Sequence, residues 1–168
     1  MKNFSRLFIV ACVAAVLAFS AVANAAPAKG GHVNTDQPSL FQTGDVMAGV
    51  GFLGYWGGGL DITGSYFFTD NIAAQVDIAP ITYTPVPGFS GNVTYIDLMA
   101  VYHLAFADNM GGYFGAGLGM GSATIGGITY SVSGFAYTVG AEMLFSDNIR
   151  GNIGITSGGL NAGISMIF

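Results

Sequence analysis

The sequence predicts an all-β fold, an eight-stranded antiparallel up-and-down transmembrane β-barrel with short periplasmic turns and short outer loops. The first supporting observation is composition. Apolar residues make up 52% of the chain and charged residues 8%, yet after Ala26 no apolar run approaches the roughly 20 residues of a spanning helix. The second observation is a hairpin-sized segment that occurs three times. The third is a period-2 alternation that continues to the carboxy-terminal phenylalanine.

The repeated segment consists of a phenylalanine, a small residue, Asp-Asn and an apolar residue. It occurs within Phe67–Ile72, Ala105–Met110 and Leu144–Ile149, and its aspartates are 38 and 39 residues apart. Asp-Asn between alternating runs predicts a tight turn, because both side chains bond nearby backbone groups. The predicted periplasmic turn residues are Asp70, Asn71, Asp108, Asn109, Asp147 and Asn148. Repeats of this length also occur in solenoids and propellers, but three short units and a membrane-type terminus favour a closed barrel.

The last strand shows the alternation most clearly. One face carries Leu160, Ala162, Ile164, Met166 and Phe168, and the other carries Asn161, Gly163 and Ser165, broken only by Ile167. Such alternation indicates that the two faces of the strand meet different surroundings. An aromatic residue at the end of the chain is typical of a membrane barrel, whose aromatic girdles lie at the membrane interfaces.

Eight strands account for the region that contains the repeat, and bacterial barrels have an even number of strands. They are predicted at Asp45–Gly54, Gly59–Phe68, Ile72–Thr82, Val93–Phe106, Gly111–Thr124, Gly134–Phe145, Ile149–Thr156 and Leu160–Phe168. If both termini lie in the periplasm, the Asp-Asn turns are periplasmic as well. The outer connections are then 55–58, 84–92, 125–133 and 157–159. Aromatic residues gather near both strand ends, as amphipathic rings do at membrane interfaces.

The first 25 residues are predicted to be a cleaved signal peptide. Lys2 and Arg6 accompany an apolar run over 7–23, and Ala23-Asn24-Ala25 is a small-residue cleavage site. A transmembrane helix is the alternative interpretation of this run. A second alternative is lipidation of Cys12, the only cysteine, because the residues before it loosely resemble a lipidation box.

Residues 26–44 are polar and without a period, and they are predicted to form a flexible periplasmic leader. An alternative is that Gln37–Phe41 plugs the barrel mouth. The barrel itself is predicted to cover 45–168.

The alternation assigns most polar side chains of the strands to the barrel interior. The predicted polar network of the lumen consists of Asp61, Gln75, Asp77, Asp97, His103, Glu142, Arg150 and Asn152. Four acidic residues cannot all pair with one arginine. Two interpretations stay open: a polar network that fills the barrel, or a narrow water path that favours cations. A glycine stripe on the fifth strand either eases a bend or leaves a groove for water.

The sequence contains few residues suited to catalysis, cofactors or nucleic acid. Gly115–Gly119 has glycine spacing close to that of a nucleotide loop, but no helix follows it. His32 and His103 are far apart and lack the neighbours of a metal site. Once the signal peptide is removed, two cationic residues remain against nine acidic ones, which excludes a basic patch for nucleic acid. We expect no enzymatic activity, no metal and no cofactor.

The signal peptide, the Phe-x-Asp-Asn turns and the terminal Met166-Ile167-Phe168 resemble the small eight-stranded outer-membrane barrel superfamily. This group includes the OmpA membrane domain, OmpX/Ail-like proteins and opacity-type porins, and the resemblance covers about Asp45–Phe168. It implies localisation in the bacterial outer membrane, with the lipid bilayer, the barrel-assembly machinery and periplasmic chaperones as partners. A monomer is expected. The resemblance also implies that Ile164, Met166 and Phe168 form an assembly signal.

Three functional classes stay open at this point. The first is a structural barrel with an envelope role and a filled polar interior. The second is a narrow pore for water, protons or small cations. The third is a surface interaction protein that uses Pro85–Phe89 and Ile128–Tyr130 as an apolar outer patch. Adhesins of the resembled group use long, charged outer loops, whereas the loops predicted here are short and nearly uncharged.

Overall fold

The computed structural model describes residues 39–54, 57–86, 89–125 and 127–168. The predicted signal peptide, including Cys12, and the predicted leader before residue 39 lie outside these ranges. Six residues of the predicted leader, 39–44, are described, and they pack against the end of the barrel.

The described chain forms eight strands in a closed barrel. They are β1 (Val46–Gly54), β2 (Gly57–Phe67), β3 (Ile72–Val86), β4 (Phe89–Ala107), β5 (Met110–Ile125), β6 (Ile128–Ser146), β7 (Ile149–Thr156) and β8 (Gly159–Ile167). Each strand pairs antiparallel with the next one, and β8 pairs with β1 to close the barrel. The predicted up-and-down architecture is therefore confirmed. No helix of the described residues is long and apolar enough to cross a membrane.

The outer surface of the barrel carries a belt of large apolar side chains. Several of them are more than half exposed, among them Phe52, Leu98, Leu118, Phe135, Ile153 and Ile164. A contiguous belt of this kind is stable against hydrocarbon and not against water. Closure also pairs the strand edges, as the lipid interior requires of a spanning sheet. The barrel thus has the surface and the hydrogen bonding of a membrane-spanning protein.

The two ends of the barrel differ. We call the end that holds residue 45 and Phe168 the terminal rim, and the opposite end the distal rim. The turns at the terminal rim contain the repeated Asp-Asn pairs. Each asparagine carbonyl accepts a hydrogen bond from an amide of the neighbouring hairpin: Asn71 from His103, Asn109 from Leu144 and Asn148 from Ile167, with N–O distances of 2.7, 2.8 and 2.9 Å. The repeat therefore links successive hairpins to one another.

The barrel wall is uneven in height. The long wall consists of β3–β6, whose strands have 15, 19, 16 and 19 residues. The short wall consists of β7, β8, β1 and β2, with 8, 9, 9 and 11 residues. Because a spanning strand needs about 9–11 residues, the long wall extends beyond the membrane at the distal rim.

Two predicted outer loops are wrong in extent. Proline and glycine within 84–92 and 125–133 predict loops, but most of both segments is strand. β3 and β4 continue to the pair Val86–Phe89 after a register shift. β5 and β6 stay in register to the pair Ile125–Ile128. The β-branched and aromatic residues around the breakers favour continued pairing over a loop.

The alternation of the long wall reverses polarity above the membrane. The last outward row that is apolar on β3, β4 and β5 is Ile78–Ile96–Met120, and it continues to Ser133 on β6. The next outward rows are Pro80–Thr94–Ser122–Ser131 and Thr82–Asn92–Thr124–Thr129, whereas the inward row between them is Ile81–Val93–Ala123–Tyr130. Outward polar rows indicate water in place of lipid. We call the part beyond the apolar row, residues 80–86, 89–95, 121–125 and 128–132, the distal sheet.

Candidate functional site: the barrel interior

All eight residues predicted to line the lumen lie at inward-facing positions. Six are buried, namely Asp61, Gln75, Asp97, His103, Glu142 and Arg150, while Asp77 and Asn152 are partly buried. Each strand presents every second side chain to the interior, and closure brings these stripes to within contact distance of one another. The polar side chains therefore meet in the middle of the barrel, beside an apolar cluster of Met99, Val101, Tyr113 and Ala136 on the inner face of β4–β6.

An ionic cluster of His103, Glu142 and Arg150 occupies the interior near the terminal rim. Glu142 Oε2 lies 2.6 Å from Arg150 Nε, and Glu142 Oε1 lies 2.9 Å from His103 Nδ1. Gly111 pairs with Glu142 on the neighbouring strand, and a Cβ there would lie 3.3 Å from Glu142 Oε1. The glycine thus leaves space between β4 and β6 for the imidazole to reach the carboxylate.

The arginine of this cluster is enclosed on its other sides by polarisable groups. Its guanidinium carbon lies 5.2 Å from the centre of the Tyr113 ring, and Nη1 donates to Met47 Sδ over 3.1 Å. A ring face and a thioether can both stabilise a desolvated cation. Arg150 is 3% exposed, so the loss of hydration must be offset by Glu142 and these contacts.

The three aspartates of the interior bind neutral donors. Asp61 Oδ2 accepts a hydrogen bond from Asn161 Nδ2. Asp77 accepts from Thr63 Oγ1 at 2.5 Å and from Gln75 Nε2 at 2.9 Å. Asp97 Oδ2 accepts from Ser157 Oγ at 2.6 Å. The aspartates that have no cationic partner therefore accept hydrogen bonds from hydroxyl and amide groups.

The cavities described between these side chains are small. One of about 20 Å³ is lined by residues that include Asp61, Asp77, Arg150 and Asn152. Another, of about 10 Å³, lies closer to the distal rim beside Asp97 and Tyr95. A single water molecule needs roughly 10–15 Å³, so each cavity has room for about one water and neither has the width of a channel.

Apolar layers close the polar interior at both ends. At the terminal rim, Phe41, Met47, Phe67, Ala73 and Ile167 form one cluster, with Leu40 and Leu144 packed against it. At the distal rim, Leu53, Ala79 and Ile81 form another, with Tyr95 beside them. The ionic cluster and the aspartates lie between these two layers.

The glycine stripe of β5 does not form a groove. A Cβ on Gly117 would lie 1.9 Å from the carbonyl oxygen of Leu98, and one on Gly119 would lie 2.5 Å from Asp97 Oδ1. The space in front of these glycines is already filled by backbone and by neighbouring side chains. Glycine is used here for close approach of the adjacent strand.

Several partners of the aspartates are not among the eight residues predicted to form the network, although the alternation places Thr63 inward and Asn161 on the polar face of its strand. Asn161, Thr63 and Ser157 bind the three aspartates, and Asn152 Nδ2 donates to Asn161 Oδ1 over 2.6 Å. Asn161 and Thr63 alternate with apolar neighbours as the predicted residues do, so the signal was present. Ser157 lies in a turn, and only barrel closure brings it to Asp97.

The predicted assembly residues lie on the lipid-facing side of the last strand. Ile164, Met166 and Phe168 are 56%, 52% and 57% exposed. The backbone of Phe168 exchanges two hydrogen bonds with Val46, at 2.8 and 3.3 Å, and so completes the β8–β1 closure.

The fold matches solved structures although the sequence matches no family model and no curated protein. The N-terminal β-barrel domain of Pseudomonas aeruginosa OprF superposes with a TM-score of 0.56 at 18% identity, covering 76% of this chain and 98% of that one. Ail, the attachment invasion locus protein of Yersinia pestis, gives 0.54 at 16% identity, covering 76% and 100%.

A designed transmembrane β-barrel gives 0.56 at 11% identity, covering 76% of this chain and 98% of that one. The fold is that of the small eight-stranded barrels of bacterial outer membranes. A designed barrel matches this chain as well as natural barrels do. The similarity therefore shows the architecture and does not show an activity.

Proposed function

We propose that this protein is a structural barrel of the bacterial outer membrane, without enzymatic activity, whose polar interior is closed. The observation that supports this best is the sequence of layers along the barrel axis. Two apolar clusters lie at the ends of the polar network, and the two cavities described within it each have room for about one water. The ion pairs and hydrogen bonds then act across the interior to fix the strands.

The test is single-channel conductance of the refolded protein in a planar bilayer, at neutral and acidic pH. A folded barrel, recognised by its heat-modifiable mobility in gels, is expected to show no discrete openings. Cation-selective openings that change with Asp77→Asn or Glu142→Gln would overturn the proposal and favour the pore.

The envelope role has its own test in cells. Loss of the protein is expected to increase uptake of an apolar fluorescent dye across the outer membrane, and the wild-type chain is expected to restore the barrier. Unchanged uptake in cells without the protein would contradict an envelope role.

The terminal strand supports a proposed route of assembly. Ile164, Met166 and Phe168 form an apolar, lipid-facing edge at the end of the strand that closes the barrel. We propose that the barrel-assembly machinery recognises this edge before β8 pairs with β1. Phe168→Ala is expected to lower the amount of folded protein in the outer membrane while the refolded variant keeps its stability within about 1 kcal/mol.

A second candidate function is interaction at the outer surface, and the distal sheet favours it. Ile128, Tyr130 and Val132 face the barrel axis above the short wall and are 59%, 56% and 66% exposed. The pairing of β6 with β7 ends at Thr138–Thr156, so one edge of β6 above that pair is without a strand partner among the described residues. Apolar faces and free strand edges are both typical binding features.

Replacing these three apolar residues with serine is the test of the second candidate. If the distal sheet binds a surface partner, attachment of producing cells to cultured animal cells falls while the folded amount is unchanged. The matched control replaces Thr124 and Thr129 with serine. These two residues lie on the outward face of the same hairpin, opposite to the three apolar residues. Equal attachment by all variants would remove this candidate.

A further inference from the structure

The terminal rim is closed by a segment that precedes the first strand. Ser39–Thr43, here called the plug segment, crosses the rim and directs Phe41 inward. Phe41 is 2% exposed, and its ring stacks on Phe67 with centroids 4.2 Å apart. The sequence predicts a flexible leader here, with a plug formed by Gln37–Phe41 as the alternative, and in the structure residues 39–44 pack against the rim.

The Phe41 side chain separates the ionic cluster from the terminal end. Its ring lies edge-on to the His103 imidazole, with centroids 4.8 Å apart. Leu40 packs beside it, and its Cδ1 lies 2.6 Å from where a Cβ of Gly111 would be. The glycine that gives His103 access to Glu142 therefore also provides the space for Leu40.

The polar contacts of the plug segment with the barrel are made mainly to one turn. Ser39 Oγ donates to the carbonyl oxygen of Asp70 at 2.5 Å, and both the amide and the hydroxyl of Thr43 donate to Asp70 Oδ1 at 2.8 Å. Gly44, with φ at +93°, then turns the chain into β1 and donates to the Phe67 carbonyl. None of these bonds belongs to the barrel's strand ladders, so the segment can leave without breaking a strand pair.

We propose that Ser39–Thr43 is a built-in plug for the terminal mouth of the barrel, and that Phe41 is the side chain that keeps water from the His103–Glu142–Arg150 cluster. The strand ladders close the wall, but the opening at the terminal rim is covered by this segment. Withdrawal of the plug segment exposes the ionic cluster to the compartment at the terminal rim. The protein then has two states of its interior, one sealed and one hydrated from one end.

The experiment measures access to a thiol placed beneath the plug. Ala73 belongs to the same apolar cluster as Phe41 and is 1% exposed. Ala73→Cys is made in a Cys12→Ser background, so that the introduced thiol is the only one in the chain. The folded protein in micelles is treated with a small cationic methanethiosulfonate, and the labelling rate is followed by mass spectrometry.

The plug predicts a defined order of labelling rates. Phe41→Ala is expected to label at least about tenfold faster than the parent, because the apolar contacts that hold the segment are lost. Phe41→Leu restores most of the protection. Asp70→Ala, which removes the side-chain anchor of Thr43 and keeps Phe41, is expected to give an intermediate rate.

The matched control is Phe106→Ala, a phenylalanine at the same rim that is 71% exposed on the lipid side. It is expected to label at the parent rate. Equal rates for Phe41→Ala and the parent, in proteins with the same heat-modifiable mobility, would overturn the proposal. A Phe106→Ala rate as high as that of Phe41→Ala would also overturn it, because any loosening of the rim would then suffice. Should Phe41→Ala fail to fold, Asp70→Ala and Phe41→Leu keep the test decisive.

Discussion

The strands of the long wall and of the short wall both alternate between apolar and polar residues. In the short wall the outward face meets lipid, whereas the distal part of the long wall has an outward face that meets water. The strands of β7, β8 and β1 have 8 or 9 residues and stay within the length of a spanning strand. The strands β3–β6 continue beyond it, and there the outward face becomes threonine, serine and asparagine while the inward face becomes apolar. The point at which the polarity reverses marks the membrane boundary more sharply than strand length does.

The two walls differ most in strand length where β6 meets β7. At the junction of β6 and β7, a strand of 19 residues pairs with one of 8 residues. Glu142 and Arg150 cross this junction in the interior, below the level at which β6 loses its partner. The ion pair therefore links the two walls at this junction, which is one of the two places where the long wall meets the short wall.

The largest predicted effect is at that junction. Glu142→Ala leaves Arg150 buried without its carboxylate and is expected to destabilise the barrel by about 3–5 kcal/mol. The measurement is urea unfolding in lipid vesicles. Asp97→Asn is the matched control, since the partner of Asp97 is a neutral serine, and it is expected to cost about 1 kcal/mol or less.

A double variant sharpens this prediction. Glu142→Gln combined with Arg150→Met removes both charges while an amide remains beside His103. It is expected to recover most of the stability that Glu142→Ala loses, because no buried charge is left unpaired. A double variant as unstable as Glu142→Ala would show that the unpaired charge of Arg150 is not the cause of the instability, and that the ion pair does not stabilise the β6–β7 junction.

The second prediction compares two outward positions on β6. Val139 lies in the apolar belt and Ser131 lies in the distal sheet, and both face away from the barrel axis. Val139→Arg is expected to cost about 2–4 kcal/mol, whereas Ser131→Arg costs about 0–1 kcal/mol. Equal costs, measured by the same unfolding experiment, would mean that the distal sheet is also in lipid.

Much of this arrangement could be predicted from sequence, because strand alternation alone decides which face a residue is on. It placed Asp61, Glu142 and Arg150 inward without knowledge of their partners. The pairing of Glu142 with Arg150 depends on register across β6 and β7, which no local pattern specifies. Alternation does not indicate which side of a strand faces water, and the proline and glycine residues near 85 and 127 predict loops where the distal sheet continues as strand.

The smallest predicted effect concerns the Asp-Asn turns of the terminal rim. Asn71 Nδ2 donates to the carbonyl oxygen of His103 at 2.9 Å in addition to the backbone bond of that turn. Asn71→Ala is expected to cost about 0.5–1.5 kcal/mol. Asn109→Ala removes the equivalent side chain from a turn that is linked through its backbone carbonyl, and it is expected to cost less than Asn71→Ala.

The most direct test asks whether β6 is surrounded by lipid or by water at each level. Spin labels are placed at the outward positions 131 and 139. Each label is compared for relaxation by oxygen, which concentrates in lipid, and by a water-soluble nickel chelate. The label at 139 is expected to respond to oxygen and the label at 131 to nickel, with the crossover between Phe135 and Ser131. A label at 131 with the same response as the one at 139 would contradict it, because the long wall would then remain in the membrane throughout.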